Sequence, residues 1–411
     1  MSARVVITGM GVISPLGNSI SHFWDSIKNG KNGIQKITQF DSSNYDVNIA
    51  GECNIDLNDY LDKKELNKID RFTAFAIIAA QEAINDAELN NIDINRQKIG
   101  VIVGSGIGGM HTFENQHNRL LKSPRRVSPF FIPAMIPDIA SGHIALKNDF
   151  KGINYSVVSA CTSSTHSIGD AFRNIKHGYS DVIIAGGAEA SITPMAIAGF
   201  SNMKALSKNP DPNTASKPFD LNRNGFVISE GAGILVLENL EHAVKRKAKI
   251  YGEIKGFGAT ADAYHITSPH PEAIGAIQSM KDALNEANLS CDEIQYINAH
   301  GTSTKYNDIT ETKAIKSVFK KHSVNVLISS TKSMIGHCLG ASGGLEAIAT
   351  ILSINNSIIH PTINQSTPDP DCDLNYVPNK SVKREINNAL SNSFGFGGHN
   401  GTLAIGKYNA S

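Results

Sequence analysis

A weak internal repeat limits how this chain can fold. RVVITGMG near the start and IYGEIKGFG at 250–258 both read as a strand running into glycines. EAINDAEL at 82–89 matches KDALNEANL at 281–289, with Ala83 and Ala87 opposite Ala283 and Ala287. IGVIVGSG at 99–106 then matches IQYINAHG at 294–301. The offset between copies shrinks from about 247 residues to about 200 and then about 195, so the first half carries extra sequence, chiefly between residues 12 and 72. A chain of 411 residues is thereby read as two related halves, 1–249 and 250–411. Chance similarity between two ordinary strand–helix segments is the bland alternative, and the shared order of three elements argues against it.

The halves look α/β. Short apolar runs at 4–8, 99–103, 181–186, 294–298 and 325–330 show little polar alternation. Strands buried on both faces look like this. Residues 72–89 are apolar on most sides and predict a central helix. Lys plus Arg and Asp plus Glu are 38 each, for a formal net charge of zero. A chain that wraps nucleic acid carries a net basic balance, so that class is excluded. Five cysteines at wide spacing, with no C-x-x-C, fit neither a disulfide framework nor a zinc ribbon and favour a reducing compartment. The N-terminus reads as a strand rather than a signal peptide, and no apolar run is long enough to span a bilayer. A soluble cytoplasmic protein is expected.

Two strand–turn–helix units carry the reactive residues. In the first, a strand over 153–159 meets Ala160 and Cys161, and Ile168, Ala171, Phe172 and Ile175 then mark one helix face. In the second, strand 325–330 leads through TKSMIGHCLGASGG into a helix with Leu345, Ile348, Ala349 and Leu352 on one face. Folds of this class place their sites at such strand ends. Cys161 stands where a helix N-terminus would lower the thiol pKa and favour the thiolate nucleophile. An isolated cysteine is more often a buried structural one, but the hydroxyl-rich surround SACTSS favours function. His300 in NAHGTST and His337 in STKSMIGH sit in polar turns rather than on apolar stripes. Zinc ligation by Cys161, His300 and His337 lacks short ligand spacing and a partner carboxylate. A cysteine nucleophile with two neutral imidazoles suits acyl transfer better, since the imidazoles can donate to a thioester oxygen as it gains charge.

The loop SFGFGGHN at 393–400 lies between apolar strands 388–392 and 401–405. Its glycines predict a close backbone approach or positive φ, and its N–H groups could complete an oxyanion hole. A plain hairpin turn is an equal reading. Gly9-x-Gly11-x-x-Ser14 and Gly104-x-Gly106-x-x-Gly109 imitate dinucleotide fingerprints. Pro15 interrupts the first, and the second has no acidic residue at ribose distance, so both are read as close-packing turns.

SACTSS, NAHGTST, SSTKSMIGH and NSFGFGGHN, in this order and spacing, resemble the β-ketoacyl-acyl carrier protein synthases, and most of all their elongating KAS II type. The resemblance spans essentially the whole chain. It implies a thiolase-like, five-layered αβαβα fold of duplicated halves, a homodimer, no cofactor and no metal. It implies an acyltransferase in type II fatty acid synthesis, which condenses malonyl-carrier protein with an acyl chain held on Cys161. His300 and His337 would polarise the malonyl thioester, and Lys332 would order the site with Glu346, Asp308 adding structural support. Phe396 would supply an oxyanion N–H and gate the acyl pocket, Thr302 and Thr304 would hold the pantetheine arm, and Ile107 would line the far end of the pocket. The acidic carrier protein would dock on Lys64, Lys68, Arg125, Arg126 and Lys204, though each alone reads as a solvated surface charge. His399, Asn307 and Ser164 depart from residues frequent in the family, which leaves pocket shape open. A ketosynthase of a specialised polyketide or polyene pathway is the neighbouring reading. A non-catalytic chain-length-factor-like partner would lack Cys161. A thiolase would carry a second cysteine in the GFGGHN loop, and a KAS III-type initiator would not carry KSMIGH.

Overall fold

In the computed structural model, residues 3–91 and 94–409 are described. One ten-stranded sheet runs through the molecule. The first half contributes β1 (Val5–Ile13), β2 (Ile99–Gly104), β3 (Asn154–Tyr155), β4 (Val182–Glu189) and β5 (Gly231–Asn239). The second contributes β6 (Gly252–Ala261), β7 (Tyr296–Asn298), β8 (Leu327–Ser329), β9 (Asn388–Gly395) and β10 (His399–Gly406). Their spatial order is β8-β7-β9-β10-β6-β1-β5-β4-β2-β3. Reading outward from the antiparallel β1–β6 junction, each half runs through its first, fifth, fourth, second and third strand. The pairing senses repeat as well. In each half the first–fifth and fifth–fourth pairs are antiparallel, and the fourth–second and second–third pairs are parallel.

The main helices are α1 (Arg71–Asp86), α2 (Ile139–Asn148), α3 (Ser163–Lys176), α4 (Ile274–Ala287), α5 (Lys305–Phe319) and α6 (Ser342–Asn356). Helices α3 and α6 pack on each other and on strands of both halves, so they form the middle layer of an αβαβα stack. Every residue of α6 from Ser342 to Ile354 is buried, as a helix enclosed on all sides must be. The expected central helix at 72–89 takes a different place. It is α1, on the outer face of β1, β5 and β4, and its far side is apolar because α2 covers it. It stops at Asp86 because Glu88 turns to a left-handed φ of 55°.

The repeat is most explicit at its glycines. A Cβ on Gly11 would stand 1.9 Å from the Ala79 carbonyl of α1, and one on Gly258 would stand 1.9 Å from the Ser279 carbonyl of α4. Gly9 and Gly256 repeat the relation at 2.2 Å to the carbonyls of Ala83 and Ala283. Gly9 and Gly11 lie inside β1 rather than in a turn, and they let the outer helix touch strand backbone. The extra first-half sequence is not confined to 12–72. Segment 190–230 separates β4 from β5, whereas only 396–398 separates β9 from β10. The strand expected over 153–159 is also shorter. Only Asn154–Tyr155 pair with β2, because the chain then leaves the sheet to deliver Cys161.

Candidate active site

The two reactive strand ends meet between the halves. A cavity of about 380 Å³ is lined by Cys161, His300, His337, Thr302, Thr304, Phe396, Ile107 and Lys204, among others. Cys161 sits in a tight turn, Ala160–Thr162, that runs straight into α3. Ala160 holds a left-handed φ of 52°, which aims the next residue into the cavity. The Ser163 hydroxyl fastens the turn by donating to the Ala160 carbonyl and accepting from the Ser159 N–H, at 2.7 and 2.9 Å.

The expected acidic thiol is corrected by its surroundings. Burial pushes the Cys161 thiol up to about 11. The Lys332 charge and the backbone N–H groups of Phe396 and of Cys161 itself pull it down, and Glu189 adds to the rise. Removing water from a thiolate outweighs the helix end here.

Both histidines are fixed in one tautomer by their neighbours. His337 Nδ1 accepts the Leu339 backbone N–H at 3.2 Å and lies 2.9 Å from the Ser342 hydroxyl. A backbone N–H can only donate, so the ring proton is on Nε2. His300 Nδ1 faces the Lys332 ammonium at 3.3 Å, which imposes the same choice. Burial, followed by the Lys332 charge, holds both imidazoles well below their ordinary pKa, so both are neutral. The two rings stand edge to face, 5.3 Å apart between centroids. Lys332 is itself buried and paired with Glu346. Burial raises the Glu346 carboxyl to about 7 although Lys332 opposes it.

The remaining expected residues divide by place. Gly395 packs on the nucleophile's turn, where a Cβ would stand 2.9 Å from Thr162 Oγ1 and 3.2 Å from the Cys161 nitrogen. Gly397 and Gly398 take φ of 84° and 74°. The glycine loop is therefore both a hairpin connection between β9 and β10 and a close approach to Cys161. The Thr302 and Thr304 hydroxyls are 2.8 Å apart. Buried Asp308 accepts the Thr302 N–H at 3.1 Å. Asn307 lines the cavity, and the Ser164 hydroxyl accepts the Gly344 N–H of α6 at 2.9 Å. His399 lies edge-on to His166 beside the glycine turn. Lys64, Lys68, Arg125, Arg126 and Lys204 are all exposed, and Lys68 lies over the Phe130 ring, close to the two arginines in sequence.

Three buried charged residues at the site escape sequence reading. Glu311 accepts the N–H groups of His300 and Gly301 at 2.9 and 2.8 Å, and burial raises it to about 7. Its signal was the i, i+3 spacing from Asp308 on α5. Arg223 pairs with Asp308 at 3.3 Å and Asp369 at 2.5 Å and donates to the Thr304 carbonyl at 3.3 Å. Glu189 ends β4 directly behind the cavity wall. Neither Arg223 nor Glu189 has a local pattern that marks it.

Comparison with known proteins agrees with this geometry. Residues 2–243 match the model of the β-ketoacyl synthase N-terminal domain, and residues 251–366 match that of its C-terminal domain. The chain belongs to the β-ketoacyl synthase family. Among curated members of that family, the 3-oxoacyl-[acyl-carrier-protein] synthase 2 of Staphylococcus aureus strain N315 is 52% identical over 409 residues, 99% of each chain. The protein of the same name from Synechocystis sp. is 51% identical, covering 98% of each. Among solved β-ketoacyl synthase structures, the ishigamide ketosynthase/chain length factor superposes with a TM-score of 0.94 at 34% identity, over 100% of both chains. A type II PKS ketosynthase in complex with its acyl-carrier protein gives 0.93 at 33%, over 99% of this chain and 100% of that one.

Proposed function

We propose that this protein is an elongating β-ketoacyl-acyl carrier protein synthase of the KAS II type, acting in type II fatty acid synthesis. The observation that carries this is one cavity holding a cysteine at a helix start opposite two neutral imidazoles that both present Nε2–H. The Cys161 thiol attacks the thioester of acyl-carrier protein. The C–S bond to the pantetheine sulfur breaks, and the thiol proton leaves on the departing pantetheine thiol. The tetrahedral oxyanion lies against the N–H groups of Cys161 and Phe396. Malonyl-carrier protein follows, its arm held by Thr302 and Thr304. Its carboxylate leaves as carbon dioxide, and the electron pair passes into an enolate. Nε2–H of His300 and of His337 donate to that enolate oxygen. The enolate carbon attacks the acyl thioester, β-ketoacyl-carrier protein forms, and the Cys161 thiolate takes up a proton. Carbon dioxide loss generates the carbanion, so no strong base is needed.

Identity of 51–52% to the two synthases 2, against 33–34% to the polyketide proteins, supports fatty acid elongation over a specialised pathway. Cys161 in the cavity speaks against a non-catalytic partner. Lys64, Lys68, Arg125, Arg126 and Lys204 form the docking patch for the acidic carrier protein. Lys332, Glu346 and Asp308 order the histidines and the threonine turn, Phe396 gates the cavity and Ile107 lines its acyl end. The halves divide at 249/250. Exposed Phe113, Leu120, Leu121, Phe130 and Ile132 crowd one segment and suit burial in a homodimer. Five free cysteines suit the cytoplasm. Among the described residues no helix is long and apolar enough to cross a membrane.

Incubation with acyl- and malonyl-carrier protein, followed by intact mass, tests the reading. An acyl adduct at Cys161 and a β-ketoacyl product are expected. Full condensation by Cys161→Ala, or no adduct on the native protein, would refute it.

A further inference from the structure

Glu189 is fully buried, and its hydrogen-bond partners are all N–H and O–H groups rather than cations. Oε2 accepts the Gly106 N–H at 2.8 Å and the Gly340 N–H at 3.1 Å. Oε1 accepts the Ile107 N–H at 3.3 Å and the hydroxyls of Ser105 and Ser191 at 3.1 and 3.2 Å. The two groups on Oε2 come from different halves of the chain. Gly106 leads into Ile107, and Gly340 follows His337 and Leu339. All five of these residues belong to walls that meet behind Cys161, and Gly106, Ile107, His337 and Leu339 line the cavity itself. The walls touch so closely that a Cβ on Gly340 would stand 2.1 Å from the Gly106 nitrogen. Burying a carboxylate without a cation is costly, and here it is matched by five donors aimed at one point. A neutral packing contact would be cheaper, and it would not tie the two turns together.

We propose that Glu189 is a positioning residue that pins the Ile107 turn to the Leu339 turn and so sets the acyl chain length the cavity accepts. This rests on the function proposed above. The same carboxylate has a second effect, because its charge opposes ionisation of Cys161.

Two variants separate these effects. In Glu189→Gln the amide oxygen still faces the Gly106 and Gly340 N–H groups and its NH2 faces the two serine hydroxyls, so the bridge between the turns stays and the charge goes, at the loss of the longer Ile107 N–H bond. Glu189→Asp keeps the charge but is one methylene too short to reach both turns. Cys161 capture by iodoacetamide at pH 8, read by peptide mass, should rise severalfold in Glu189→Gln and stay unchanged in Glu189→Asp. The ratio of rates with long and short acyl-carrier substrates should rise about tenfold in Glu189→Asp and stay near the native value in Glu189→Gln. An unmoved ratio in folded Glu189→Asp overturns the assignment. Should that variant fail to fold, Ser105→Ala, which removes the hydroxyl that ties the Ile107 turn to Glu189 and to the Gly108 N–H, is read by the same ratio, and an unmoved value overturns it equally. Absence of any acyl adduct on the native enzyme overturns the proposed function instead, while iodoacetamide capture needs no carrier protein and still reads the charge.

Discussion

The ammonium of Lys332 lies 3.3 Å from Nδ1 of His300, and its other partner is the buried carboxylate of Glu346. One cation thus sets the tautomer of a ring and neutralises an acid. Lys332→Ala should cost about 3–5 kcal/mol of stability, since Glu346 is left buried and unpaired. Malonyl decarboxylation should fall at least about 100-fold. In Lys332→Met with Glu346→Leu, denaturant midpoints should recover while decarboxylation stays low. Recovery of both would show that Lys332 acts on folding alone.

His337 donates from Nε2 only while Leu339 occupies Nδ1. His337→Ala should lower malonyl decarboxylation by about 10²–10³ and leave Cys161 acylation within about tenfold of native. Equal loss in both half-reactions, measured by carbon dioxide release and intact mass, would contradict a role in enolate stabilisation.

His360 is buried among the hydroxyls of Tyr296 and Thr331, at 3.1 and 3.0 Å, and burial lowers it from 6.5 to about 4. A depressed folded-state pKa gives stability that is present above pH 6.5 and lost as pH falls towards 4, here about 3 kcal/mol. Glu311 and Glu346, raised from 4.5 to about 7, act with the opposite sign: their contribution is full below pH 4.5 and lost as pH rises through 7. The native profile therefore sums contributions of opposite sign, and the difference between native and His360→Gln carries the signal. That difference should shrink by about 3 kcal/mol between pH 7 and pH 4 in urea titrations.

Gly11→Ala and Gly258→Ala should each destabilise by about 1–3 kcal/mol, because each methyl meets helix backbone that cannot give way. Gly199→Ala is the control. It lies exposed in the helix Pro194–Asn202 with nothing within 4 Å, and should gain about 0.5–1 kcal/mol. Thermal melts of the three variants check both signs.

Arg125 and Arg126 are exposed and carry no ion pair among the described residues. Reversing both to Glu should raise KM for carrier-bound substrates about tenfold and leave Cys161 alkylation by a small cerulenin-type inhibitor intact. An unchanged KM would remove them from the docking surface.

Much of this was legible in the sequence for a physical reason. A strand must bury its faces and a helix its stripe, so the duplicated β1–α1 and β6–α4 units kept matched glycines and alanines, and the repeat could be read from them. Cys161, His300 and His337 lie in short motifs that follow strands, so local pattern exposed them. Tertiary structure decided what depends on contact between distant segments. It made α6 rather than α1 the enclosed helix, because only the stacking of two half-sheets creates a middle layer. It set the Cys161 thiol near 11, because burial is a property of the assembled cavity and not of the helix that follows. It brought Glu189 and Arg223 to the site through partners in the other half of the chain, and no local spacing can encode a partner supplied from there.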